Sequence, residues 1–248
     1  MVSKFKNTTD KYFKTTKQKG VFVIVVLLLI FVSFFTPVYK IEDIRVAGNN
    51  TVDSSTIIKA SGIETGENIF KLDKVSAKKG IAKVAYINTV KIKRHFPHTV
   101  VIEVTESQEC AYINFVGSFI GIDENGKALD VKQKIEDVTK PVIYGVSLSE
   151  FQIGSVVEFA DNSKKQLLFD MLGQIKSSGI EEKIRYMDIN DFDNITFTLN
   201  SKIAVKLGTT ESIKYKIAYL KSVLDELGDT TGGVIDITDT ENVVYTAN

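Results

Sequence analysis

The sequence predicts an α+β protein carried on a single apolar anchor: an N-terminal transmembrane helix, then a small β-α-α-β-β unit, then a larger, mostly β unit with two helices. Three observations lead there. One uncharged run separates two stretches of opposite charge; period-two alternation recurs from Lys40 to the C-terminus; and helical periodicity interrupts it in two short and two longer segments.

The charge pattern comes first. Of 31 basic and 31 acidic groups, six lysines and Asp10 fall in residues 1–19 and none in 20–39, which leaves 25 basic and 30 acidic groups from Lys40 onward. The run GVFVIVVLLLIFVSFFTPVY, residues 20–39, is about 20 residues and so about 30 Å long as a helix, the thickness of a bilayer's hydrocarbon core. A cleaved leader ends in small residues. Here the exit reads Ser33-Phe34-Phe35-Thr36-Pro37, so residues 20–39 are expected to stay as a transmembrane helix. The lysine-rich tail, residues 1–19, is then cytoplasmic, and residues 40–106 and 107–248 form two exported domains. With 44% hydrophobic and 25% charged residues, neither a disordered chain nor a multi-pass membrane protein is indicated. A single cysteine, Cys110, cannot form an internal disulfide and reads as a small buried residue.

In the first exported domain, Tyr39–Gly48 alternates Ile41, Ile44 and Val46 with charges, as a strand does. Asp53 suits the N-cap of a helix over Val52–Ala60 that closes near Gly62, and Asp73 suits the cap of another running to about Val84. Tyr86–Glu106 reads as two strands around the turn His95-Phe96-Pro97-His98. In the second domain, strands are expected at Tyr112–Val116, Ser118–Asp123, Lys127–Lys132, Val142–Val146, Ser155–Phe159, Ile184–Ile189, Asn194–Leu199 and Ser201–Gly208. Amphipathic helices are expected over Lys164–Ser177 and Glu211–Leu227, and short strands at Val234–Thr238 and Val243–Ala247 end the chain.

Chemistry-bearing patterns are sparse. His95 and His98 share one turn, without a cysteine or carboxylate at metal-ligand spacing, so no metal or cofactor is implied. No serine-hydrolase or zinc-protease signature occurs, which leaves no catalytic residue to nominate. Asp188, Asp191 and Asp193, like Asp236, Asp239 and Glu241, depart from the calcium-loop pattern and read as solvated turns. Lys91, Lys93 and Arg94 form a basic patch, with Lys91 and Lys93 on one face of a strand; a solvated strand outside the cytoplasm fits better than nucleic-acid binding. Protein recognition remains. The final strand is a candidate sheet edge able to accept a partner's strand.

A family likeness lies in the first 106 residues. Behind the basic tail and anchor stand Ile44-Arg45-Val46-Ala47-Gly48-Asn49, Gly66-Glu67-Asn68-Ile69-Phe70, and Arg94-His95-Phe96-Pro97-His98-Thr99-Val100-Val101-Ile102-Glu103-Val104 followed by Glu106. This resembles the FtsQ/DivIB family of bacterial division proteins and the POTRA domain they carry. Ser107-Gln108 stands where that family often has arginine and proline. The resemblance implies a non-catalytic bitopic scaffold of the division septum, without cofactor, that joins FtsL and a DivIC/FtsB-type single-pass coiled-coil partner and, through them, FtsW and its septal transpeptidase. Carried over by position, partner contacts fall along Lys91, Lys93 and Arg94 and along Val234, Ile235, Ile237, Val243, Val244 and Tyr245. Two competing readings are a POTRA-type chaperone or transport component at the membrane, and a signal-anchored cell-wall enzyme acting through His95, His98 or Cys110.

Overall fold

The computed structural model describes residues 16–33, 37–228 and 230–247. Its residues group into two units: Met1–Asn49, Asp53–Ile81 and Val90–Val104 form the first, and Asn50–Val52, Ala82–Thr89 and Thr105–Asn248 the second.

The apolar run forms α1, Thr16–Ser33, with Val21, Ile24 and Leu28 exposed. The described helix covers part of the expected span of 20–39. The helix begins four residues earlier, residues 34–36 lie outside the described ones, and Pro37–Tyr39 form a 3-10 turn. Pro37 has no N–H to continue an α-helical ladder. Among the described residues no helix is long and apolar enough to cross a membrane. Most of the lysine-rich tail, residues 1–15, also lies outside the described residues.

The first unit is built on β1, Asp43–Ala47, which runs parallel to β3, Thr99–Glu106; β2, Ile87–His95, lies on the other side of β3. The parallel pair needs a crossover. It is supplied by α2, Ser54–Ser61, and α3, Lys74–Ala82. The expected β-α-α-β-β order holds, although the first strand is five residues rather than ten. Its N-terminal half, Tyr39–Ile41, instead bonds to a loop, with Ile69 N–H donating to Tyr39 O at 2.9 Å and Gly66 N–H to Ile41 O at 2.7 Å. Asp73 caps α3 by accepting from Val75 N, Ser76 N and Ser76 Oγ, and these bonds hold its carboxyl below the ordinary range. Ile57, Ile69, Ile81, Ile92, Val100 and Ile102 fill the core.

Two residues of the family pattern have geometric roles. Gly48 has φ +87° and lies so close to β3 that a Cβ there would stand 2.1 Å from Val104 O. Only glycine fits both constraints. Glu106 accepts from the backbone N–H groups of Asn50, Thr51 and Val52 at 2.8–3.0 Å, within the second unit. Burial raises the Glu106 pKa, but the three bonds together outweigh it and hold the carboxylate charged.

Among the described residues the second unit is built on a nine-stranded sheet. Its strands are β4 Ala111–Phe115, β5 Ser118–Ile122, β6 Ala128–Lys132, β7 Val142–Tyr144, β10 Ile184–Asp188, β11 Ile195–Leu199, β12 Ala204–Gly208, β13 Val234–Asp236 and β14 Val244–Thr246. They lie in the order β14-β13-β12-β11-β10-β7-β4-β5-β6. β7 sits between β4 and β10 and is parallel to both. Two helices, α4 Asn162–Ser178 and α5 Ile213–Leu227, place Leu168, Met171, Leu172, Ile217, Leu220 and Leu224 in the same buried cluster as the sheet's Ile143, Phe197 and Ile235. Asp161 caps α4 through Ser163 N and Lys164 N, and Gly179, at φ +73°, closes it.

Two expectations for this unit are corrected. Ser155–Phe159 contributes only β9, Glu158–Phe159, which pairs with β8, Leu148–Glu150, in a separate two-stranded ribbon. Its apolar residues look like a sheet strand, yet Val156 makes a single bridge, to Lys127. α5 starts two residues later than expected, because Ser212 adopts a left-handed conformation at φ +55°. Lys127, half-buried, donates from Nζ to Ala82 O, Val84 O and Ile87 O at 2.7–3.0 Å, and so fastens the 82–89 segment to the start of β6.

Candidate partner-binding edge

β14 is the last strand of the sheet, with β13 on one side and, among the described residues, no strand on the other. A terminal strand of this kind presents a row of unpaired main-chain groups. Its position follows from the preceding connection. β12 and β13 are parallel, Val205 opposite Ile235, so the chain crosses over through α5 before returning antiparallel as β14, with Ile235 opposite Tyr245 and Asp236 opposite Val244. Along β14, Val244 is 53% exposed while Tyr245 turns inward against the core.

One glycine makes room for that inward tyrosine, and the residue before it bonds to the tyrosine. Gly233 has φ +96°, and a Cβ there would come within 2.6 Å of Thr246 O and 2.8 Å of the Tyr245 ring. Tyr245 Oη donates to Gly232 O at 3.1 Å. The β13–β14 loop is held by two carboxylates. Asp236 accepts from Thr238 Oγ1 and N, and Asp239 accepts from Asn242 Nδ2 and Glu241 N.

These same bonds hold both carboxyls below their ordinary value of 3.8. A carboxyl whose folded pKa lies below its unfolded one contributes stability that is complete above the unfolded value and lost as pH falls through the folded one. The loop should therefore stay closed above about pH 3.8 and loosen only in stronger acid. An NMR titration of the Thr238 and Glu241 amides checks this: their midpoints should fall below 3.8, and midpoints at or above that value would mean that the bonds do not form in solution.

The sequence-nominated residues divide into three groups. Val243, Val244 and Tyr245 are on or beside the edge, and Val234 pairs with Thr246 at its end. Ile235 and Ile237 are fully buried; they support the edge from the core and present no side chain to a partner. The basic trio is in the first unit, where Lys91 and Lys93 are exposed and Lys93 pairs with Glu103 at 2.7 Å. Arg94 departs from the basic-patch expectation: its guanidinium turns inward and donates to Phe70 O and Leu72 O. A charged group bonded to two carbonyls serves the loop it holds.

Sequence reasoning missed Tyr215 and Tyr219. They stand one turn apart on the exposed side of α5, 56% and 37% exposed, with ring centroids 6.2 Å apart. Exposed aromatics on the helix that connects β12 to β13 are the kind of anchor that recognition surfaces use. The available signal was their i, i+4 spacing opposite Ile217, Leu220 and Leu224.

A second place in this unit has polar side chains around a cavity of about 340 Å³, lined by Ser107, Glu109, Cys110, Asp123, Phe169 and Lys176 among others. Several polar groups at this place are bonded, while Glu181 Oε2, which also lines it, is buried without a hydrogen-bond partner among the described residues. Ser107 Oγ donates to Asp123, Tyr86 Oη to Glu109, Lys176 Nζ to Glu124, and Cys110 Sγ to Ile122 O. Burial pushes the Cys110 thiol up to about 12, so it stays protonated and unreactive near neutrality. The histidines lie elsewhere, in the turn of the first unit, where His98 Nδ1 stands 3.8 Å from Glu42. Among the described residues no group of three His, Cys, Asp or Glu side chains is placed to hold a metal ion.

Comparison with known proteins adds to this geometry. Residues 39–107 match the POTRA domain of FtsQ type, and residues 111–239, more than half of the 248, match the C-terminal region of the cell division proteins FtsQ/DivIB. The chain belongs to the FtsQ/DivIB family. Cell division protein DivIB of Clostridium botulinum (strain Hall) is 29% identical over 247 residues, 96% of each chain. Cell division protein FtsQ of Corynebacterium glutamicum is 26% identical over 215 residues, 84% of this chain and 89% of that one. The major extracytoplasmic domain of the trans isomer of DivIB from Geobacillus stearothermophilus aligns with 50% of this chain and 95% of its own, at 16% identity and a TM-score of 0.32. This FtsQ/DivIB chain thus has a role in bacterial cell division, and β14 lies just beyond the residues that the C-terminal family match covers.

Proposed function

We propose that this FtsQ/DivIB protein is a non-catalytic scaffold of the divisome, anchored by the apolar run of residues 20–39 with its lysine-rich tail in the cytoplasm and its two folded units outside. In this reading β14 accepts an extended segment of a DivIC/FtsB-type single-pass coiled-coil partner. FtsL completes the assembly, which connects to FtsW and the septal transpeptidase at the division site. The carrying observation is the terminal strand β14, with Val244 facing solvent, in a chain of this family. Main-chain pairing would supply affinity, and the exposed side chain of Val244 selectivity.

The test is binding of the full-length protein in detergent to the host's DivIC/FtsB-type protein, with Val244→Lys beside the wild type. An edge lysine opposes strand addition, and a charge at an exposed position leaves the fold intact. Affinity should fall about tenfold, worth about 1.4 kcal/mol, with an unchanged melting temperature. Equal affinity for both proteins would remove β14 from the interface; no binding by either would return the chaperone and enzyme readings.

A further inference from the structure

The first unit carries a cluster of three aromatic rings. Tyr39 packs edge-on against Phe70 with ring centroids 5.1 Å apart, and Phe70 stacks on Phe96 at 5.0 Å. Phe96, at the tip of the β2–β3 turn, is nevertheless 56% exposed, and Val38 is 60% exposed. Lys40, Lys71 and His95 stand exposed in the same stretches of chain. A phenylalanine on a turn normally finds cover or is replaced by a polar residue.

The tether says what covers it. From Ser33, the end of α1, to Tyr39 is six residues, at most about 20 Å of chain. Tyr39 is already fixed to the folded unit through the Ile69 N–H bond to its carbonyl, and Ile41 N–H donates to Glu67 O at 2.8 Å. The cluster therefore has no long leash. It stays beside the end of the apolar run, where a bilayer's headgroup layer begins if that run is an anchor. Aromatic rings flanked by basic side chains suit that layer, the rings at the acyl boundary and the cations at the phosphates.

We propose that Val38, Tyr39, Phe70 and Phe96 form a membrane-contacting foot that seats the first unit on the outer leaflet's headgroup–acyl boundary. This rests on the anchoring reading of the apolar run. The contact would fix the unit's orientation on the membrane.

The native sequence contains no tryptophan, so a single introduced one is a clean reporter. Phe96→Trp, Val38→Trp and, in the apolar run, Leu28→Trp are made separately in the full-length chain. Each is reconstituted into vesicles of phosphatidylcholine with a minority of phosphatidylglycerol, either unmodified, brominated high on the acyl chain or brominated near its end. The expected result is quenching of Leu28→Trp by deep bromine, with Phe96→Trp and Val38→Trp shifted to the blue and losing about half their emission to shallow bromine, as burial of about 5–10 Å requires. If Leu28→Trp is quenched while Phe96→Trp and Val38→Trp emit as in water and ignore bromine, the foot is refuted and the anchor stands. If Leu28→Trp escapes quenching as well, the anchoring reading fails and takes the foot with it.

Discussion

Gly233→Ala should release the edge strand. At φ +96° an L-residue is strained by about 1–2 kcal/mol, and the added methyl would lie 2.6 Å from Thr246 O and 2.8 Å from the Tyr245 ring. Relieving that overlap adds about 1–3 kcal/mol. β14 has only three residues and, among the described residues, one neighbouring strand, so displacing it is the easiest way to relieve the clash. Hydrogen exchange should show the loss: amides of Val244–Thr246 lose protection while those of β11 and β12 keep theirs. Partner affinity should fall about 100-fold, which corresponds to about 2.7 kcal/mol. Native protection of β14 in the variant would show that the Gly232–Gly233 notch is not what seats Tyr245.

Gly48→Ala should destabilise the first unit by about 3 kcal/mol, the sum of positive-φ strain and a methyl forced against backbone that cannot rotate away. The obstacle is Val104 O, 2.1 Å from the new atom, in the central strand of the three-stranded sheet. Gly66→Ala is the matching control. Gly66 has φ +91° with nothing within 4 Å of a Cβ, so it should cost only about 1 kcal/mol. Urea denaturation of both variants measures the difference; equal losses would mean that conformation alone, and not the approach to β3, requires glycine at position 48.

The two glycines also show why a family pattern was readable while its purpose was not. Val46-Ala47-Gly48-Asn49 and Glu106 are far apart in sequence, and as parts of a family pattern they carry no stated role. In the fold, Gly48 permits a close backbone approach, and Glu106 gathers the three N–H groups of the turn at residues 50–52. The sequence misled at Arg94. Next to Lys91 and Lys93 it reads as part of a basic face, but its partners are carbonyls of residues 70 and 72, which no local pattern could reveal.

Local physics was legible throughout. The solvent-to-core alternation of β3 and β11, the apolar stripe of α5 and the caps at Asp73 and Gly62 depend on residues within a turn or two of one another, so the sequence alone determined them. The uncharged run of residues 20–39 and its lysine flank are likewise properties of the chain itself. Tertiary structure decided the rest. It inserted β7 between two parallel neighbours, set β8 and β9 apart as a ribbon, buried Ile235 and Ile237 and left Val244 and Phe96 uncovered by the rest of the fold. Strand order and exposure are set by which distant segments bury apolar area together, and a period-two pattern is the same whether a strand lies at the centre of a sheet or at its edge.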